Sequence, residues 1–85
     1  MQKFKHVIQN PQGIYADSAD CLVKAAKAFE SRIDLTKRSQ TGDLKHIFSV
    51  VALGIQTGDE VTVTVEGPDE ERAALMIKEL FEQRF

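Results

Sequence analysis

From Gln2 to Gln9 the chain alternates, with Phe4, His6 and Ile8 on one side and Lys3, Lys5 and Val7 on the other. A period of two predicts a strand with one face against a core. Asn10-Pro11-Gln12-Gly13 then supplies four turn-forming residues and ends it. From Ala16 to Ser31 the period changes. Ala19, Leu22, Val23, Ala26 and Phe29 fall at helical spacing, with Lys24 and Lys27 off that face, which predicts an amphipathic helix. Asp17, Ser18 and Asp20 place acid and capping oxygens at its start, where the helix dipole favours them.

Arg32–Lys37 alternates again through Ile33 and Leu35 and predicts a second strand, followed by a polar hairpin with a short strand about it over residues 38–43. Leu44 to Leu53 is too apolar for a loop. β-Branched Ile47, Val50 and Val51 allow a strand, but their spacing and the following Gly54 favour a short helix. Val61, Val63 and Val65, interleaved with Thr62, Thr64 and Glu66, give the clearest strand of the chain. After Gly67-Pro68, the acids Asp69, Glu70 and Glu71 open a closing helix whose apolar face is Ala73, Ile77, Leu80 and Phe81. The order is β-α-β-β-α-β-α. Four half-polar strands predict an antiparallel sheet with one wet face, and three helices cover the other, an α+β two-layer sandwich.

Length makes this a single domain spanning residues 1–85. The 13 acids outnumber the 11 spread basic residues, so nothing favours a nucleic-acid backbone as partner. One cysteine, Cys21, excludes an internal disulfide. The first residues lack the apolar core of a signal peptide, and no apolar run reaches membrane-spanning length, so a cytoplasmic location without membrane insertion is expected. No Ser-His-Asp set, paired-carboxylate pattern or glycine-rich phosphate loop marks an enzyme. With only His6 and His46, no spacing fits a metal site, and no cofactor is expected. Short strands with a sheet edge leave a homodimer open.

Gly13-Ile14-Tyr15-Ala16-Asp17-Ser18-Ala19 resembles the Gly-Ile-His-Ala-Arg-Pro-Ala signature of the HPr family, the small phosphocarriers of the bacterial sugar phosphotransferase system. Leu44-Lys45-His46-Ile47-Phe48-Ser49-Val50-Val51-Ala52-Leu53-Gly54 resembles that family's second-helix segment, and the stretch from Gly58 to Glu70 its last strand and acidic helix start. The resemblance covers essentially the whole chain and implies the HPr-like open-faced sandwich with the element order given above.

The departures fall on the chemistry. The family's phosphate-carrying histidine corresponds to Tyr15, its neutralising arginine to Asp17 and its proline to Ser18, and the serine phosphorylated by a regulatory kinase to His46. A phenol with a pKa of about 10 is a poor nucleophile at neutral pH, and its phosphate ester has a lower transfer potential than phosphohistidine. At roughly 6 Å and an effective dielectric of about 20, a unit charge pair is worth on the order of 3 kcal/mol before screening, so exchanging Arg for Asp acts twice. The expectation is a regulatory or protein-interaction module that carries no phosphate, with no confidently assigned catalytic residue. The alternative is a carrier using His46 or Tyr15. The resemblance implies a protein-docking surface of Lys24 and Lys27 with Ile47, Phe48 and Val51. The residue pattern also allows Ile47 and Val51 to be core, with only Phe48 partly exposed. Implied partners are phosphotransferase-system or transcription-regulatory proteins.

Overall fold

The computed structural model describes residues 1–85 and follows the expected order: β1 (Gln2–Val7), α1 (Ala16–Lys27), β2 (Arg32–Lys37), β3 (Gln40–Asp43), α2 (Ile47–Ala52), β4 (Glu60–Glu66) and α3 (Glu70–Arg84). The strands form one antiparallel sheet in the order β1-β4-β2-β3. β4 therefore inserts between β1 and β2, and its sequence suits that place. Val61, Val63 and Val65 are fully buried, and Val63 stands between Phe4 of β1 and Leu35 of β2. The opposite face is wet. There Lys5, Thr62, Thr36 and Thr41 align across the four strands, and the Thr36 and Thr41 hydroxyls lie 2.9 Å apart.

The helices bring Ala19, Leu22, Val23 and Ala26 of α1, Val50 of α2, and Ala73, Ile77 and Phe81 of α3 into a core of 19 buried apolar residues. Phe81 is fully buried and touches three rings, Phe4 edge-on and His6 and Phe85 at a tilt. Burying a side chain of this kind contributes about 2–3 kcal/mol.

Two helices are shorter than their sequence patterns. α1 ends at Lys27, four residues before Ser31. The Ala28 and Phe29 amides tighten onto Ala25 and Ala26 oxygens. The next two amides, Glu30 and Ser31, are taken by the Asp69 carboxylate at 3.0 and 2.9 Å, so they are unavailable to extend α1. In the segment from Leu44 to Leu53 only Ile47–Ala52 is helical. Leu44, fully buried, belongs to the turn that leaves β3, and its amide bonds to the Ile33 oxygen at 2.9 Å.

Candidate functional site

The approach to Tyr15 is fixed by backbone before any side chain enters. In the Asn10–Gly13 turn the Gly13 amide donates to the Asn10 oxygen at 2.9 Å, and the Asn10 side-chain amide donates to the Gly13 oxygen at 2.9 Å. Gly13 has φ +66°, and a Cβ there would collide with the Ile55 backbone oxygen. Glycine is required on both counts. The next residue, Ile14, is buried and its amide donates to the Ile55 oxygen at 3.0 Å. The start of α1 is thus pinned to the chain just beyond α2.

Tyr15 is the N-cap of α1, with extended φ and ψ of −133° and −167°, and its side chain is 70% exposed. The Tyr15 amide donates to the Ser18 hydroxyl oxygen at 2.9 Å, and that hydroxyl donates to the Tyr15 carbonyl at 3.0 Å. Ser18 therefore satisfies the amide outside the helix and none within it. The first intrahelical bond runs from the Ala19 amide to the Tyr15 oxygen at 2.7 Å. The amides of Ala16, Asp17 and Ser18 meet no protein acceptor. Asp17 is exposed and makes neither a hydrogen bond nor an ion pair. The expectation that Asp17 or Ser18 caps these amides is corrected on this point. Ser18 turns back to Tyr15, and Asp17 acts on the first turn through its charge alone.

Farther along α1, Lys24 lies 3.0 Å from the Asp20 carboxylate one turn away. The hydrogen bond to Asp20, then its charge, raises the Lys24 pKa. Lys27 is exposed and unpaired. On α2, Ile47 and Val51 are partly buried and pack on the core, whereas Phe48 is 83% exposed. The apolar contribution to the surface is therefore mainly one ring. His46 is the exposed N-cap of α2, with no side-chain capping bond.

The antiparallel packing of α1 and α2 separates Tyr15 from His46. At one end Ile14 bonds to Ile55, which follows α2. At the other, the Lys45 ammonium donates to the Phe29 carbonyl beyond α1, at 2.7 Å. Tyr15 stands at the first end, and His46, the N-cap of the six-residue α2, toward the second. Two anchors escaped the sequence reading. One is Lys45. The other is Lys37, whose ammonium lies 2.9 Å from the Asp59 carboxylate and donates to the Gly54 carbonyl at 2.8 Å. Asp59 has its pKa lowered first by the Gln56 amide and then by Lys37. Their signal in sequence is only a lysine before a helix and an aspartate in a turn.

No three His, Cys, Asp or Glu side chains gather as a metal site would need. No helix is long and apolar enough to cross a membrane. An apolar hollow runs between α1 and α3, lined by Ala25, Phe29, Ile77 and Leu80, away from Tyr15. Around Tyr15 the surface presents an exposed ring, with the exposed Asp17 two residues on.

Residues 2–83 match the family model described as the PTS HPr component phosphorylation site. The chain belongs to the HPr family. The phosphocarrier protein HPr of Mycoplasma genitalium is 38% identical over 84 residues, covering 98% of this chain and 96% of that protein. The solved histidine-containing phosphocarrier protein of Mycoplasma is 36% identical with a TM-score of 0.89, covering 92% of this chain and 89% of that one. HPr-C-His from Thermoanaerobacter tengcongensis superposes with a TM-score of 0.92 at 32% identity, covering 96% and 92%. HPr proteins are phosphocarriers and not enzymes, and they act through other proteins of the phosphotransferase system. The four-stranded antiparallel sheet with three helices is the HPr architecture.

Proposed function

We propose that this chain is a cytoplasmic HPr-family protein that docks onto phosphotransferase-system or regulatory proteins and does not carry phosphate. The observation that carries this reading is the exposed, unpaired Asp17 carboxylate two residues after Tyr15. Phosphoryl transfer from a phosphohistidine donor requires a basic, nucleophilic acceptor and a cation to steady the developing charge. Tyr15 is a weakly acidic phenol, and Asp17 adds repulsion at the same turn. His46 does not compensate, because it lies at the other end of the α1–α2 pair. Without a hydroxyl it also cannot take a serine-directed kinase's phosphate.

One observation favours a second reading. The three free amides of Ala16, Asp17 and Ser18 still give the helix start its partial positive charge. An anion esterified on Tyr15 would find donors there.

Incubation with Enzyme I and labelled phosphoenolpyruvate separates the readings. The docking protein stays unlabelled. Label lost in acid and retained in alkali identifies a phosphohistidine, and label retained in acid identifies a phosphate ester such as one on Tyr15. Either labelled product overturns the first reading. Self-association is a further proposal. β1 lies at the sheet edge, where a second copy could pair, and sedimentation over a concentration series tests it.

A further inference from the structure

We propose that the outer edge of β1 takes an extended strand of a partner protein, one in which acidic and apolar residues alternate. This site uses none of the residues assigned to docking on α1 and α2, and it stands whether or not the chain carries phosphate.

β1 is an end strand of the sheet and pairs only with β4. In an antiparallel sheet successive residues turn their backbone groups to opposite sides of the strand. The Ile8 amide donates to the Asp59 oxygen at 2.9 Å, and the Ile8 oxygen accepts from the Gly58 amide at 2.7 Å. Ile8, and with it Phe4 and His6, therefore bonds on the β4 side. The Gln9 amide turns the other way, to the Phe85 oxygen. By the same alternation the amides and carbonyls of Lys3, Lys5 and Val7 point out from the sheet, where no neighbouring element bonds to them. A strand laid along this edge completes the ladder, and main-chain bonds of this kind supply affinity while the side chains supply specificity.

The surroundings of the edge select the side chains. Between β1 and α3, Lys3, Phe4, Glu71, Ala74, Leu75 and Lys78 line one hollow of about 460 Å³. Phe4 and Ala74 are partly buried against the core, and Leu75 is 58% exposed. A residue opposite Phe4 shares its face and lies over this hollow, so it is apolar. Residues opposite Lys3 and Lys5 lie on the wet face. Lys3, Lys5 and Lys78 are exposed and none of them enters an ion pair, while Glu71 is the single acid at the hollow. Opposite charges facing each other across two strands are favourable and like charges are not, so the residues opposite the lysines are acidic. The same rule decides between occupants. A second copy aligned antiparallel along this edge sets Lys5 against its own counterpart, so the lysines hold like edges apart and admit an acidic strand.

The test titrates the intact protein, observed by NMR, with a short capped peptide alternating valine and glutamate, and separately with the same peptide carrying lysine for glutamate. In the free protein the Lys3, Lys5 and Val7 amides should exchange hydrogen quickly and those of Phe4 and His6 slowly. The glutamate peptide is expected to slow the first three saturably and to bind about tenfold more tightly than the lysine peptide. Combining Lys3→Glu with Lys5→Glu should invert that preference. Val7→Pro removes one outward donor and no bond to β4, and should weaken the glutamate peptide about tenfold. The glutamate peptide N-methylated at its glutamate amides should fail to bind the unaltered protein, a result independent of how any variant folds. The proposal is overturned if the two peptides bind equally, or if the shifts fall on α1 and α2 and not on β1. It is equally overturned if the protein alone protects the same amides on concentration and sediments as a dimer, which would give the edge to a second copy. Phosphoryl labelling by Enzyme I would remove the docking-only reading while leaving a mapped β1 site in place, so the two failures are distinguishable.

Discussion

Ser31 and Asp69, 38 residues apart in sequence, exchange hydrogen bonds in both directions. The Ser31 amide and hydroxyl both donate to the Asp69 carboxylate, and the Asp69 amide donates to the Ser31 hydroxyl at 3.2 Å. With the Glu30 amide on the second carboxylate oxygen, this contact closes α1 and opens α3 at one point.

Acid should loosen that point. The Ser31 hydroxyl, then the Glu30 and Ser31 amides, hold the Asp69 pKa down from 3.8 to about 2. A carboxylate with a depressed folded-state pKa stabilises the fold fully above its unfolded pKa. The contribution is lost as pH falls from about 4 through about 2. Urea midpoints measured from pH 7 to pH 2 should fall steeply in that window. In Asp69→Asn the midpoint should start lower at pH 7, and the drop below pH 4 should be shallower. An unchanged slope would refute the assignment.

Ser31→Ala removes a fully buried hydroxyl and leaves the Asp69 amide without its acceptor. The expected cost is about 1–3 kcal/mol, read as a lower Tm. Gly67→Ala should be at least as damaging. Gly67 has φ +153°, and its Cβ would sit 2.6 Å from the Ser31 Cα, a backbone atom that cannot swing aside.

Restoring the family's residues should restore its chemistry in steps. Tyr15→His alone should accept phosphate from Enzyme I slowly, because Asp17 remains beside the acceptor. Adding Asp17→Arg should raise the rate by at least about tenfold through charge reversal. Acid-labile, alkali-stable label measured over time checks both. Equal rates in the single and double variants would show that Asp17 is not what opposes phosphate.

Phe48→Ala should leave stability within about 0.5 kcal/mol, since the ring is 83% exposed. The same change should weaken binding to Enzyme I about tenfold or more, as expected of an interface anchor. Calorimetric titration beside a thermal melt reads both. Phe81→Ala is the contrasting variant. Its ring is fully buried, and its loss should cost about 3–5 kcal/mol and unfold much of the population.

The elements were legible in the chain because each carries its own period. Val61, Val63 and Val65 must share one face of any strand, and Ala19, Leu22, Val23 and Ala26 one face of any helix, wherever those elements pack. The resemblance also placed Tyr15, Asp17 and His46 at the positions where the HPr family handles phosphate.

What the chain could not show by itself was set by contacts between segments remote in sequence. α1 stops at Lys27 although its apolar pattern runs on to Phe29, because Asp69, at the start of α3, captures the amides of Glu30 and Ser31. Ser18 has the composition of a helix cap, yet its hydroxyl turns to Tyr15 and leaves the first-turn amides open. Tyr15 and His46 stand at opposite ends of a helix pair because α2 runs back along α1, an arrangement fixed by Ile55 at one end and Lys45 at the other. Periodicity is a local property of the chain. Caps, ion pairs and the distance between two functional positions depend on where the chain returns, and only the packed structure decides that.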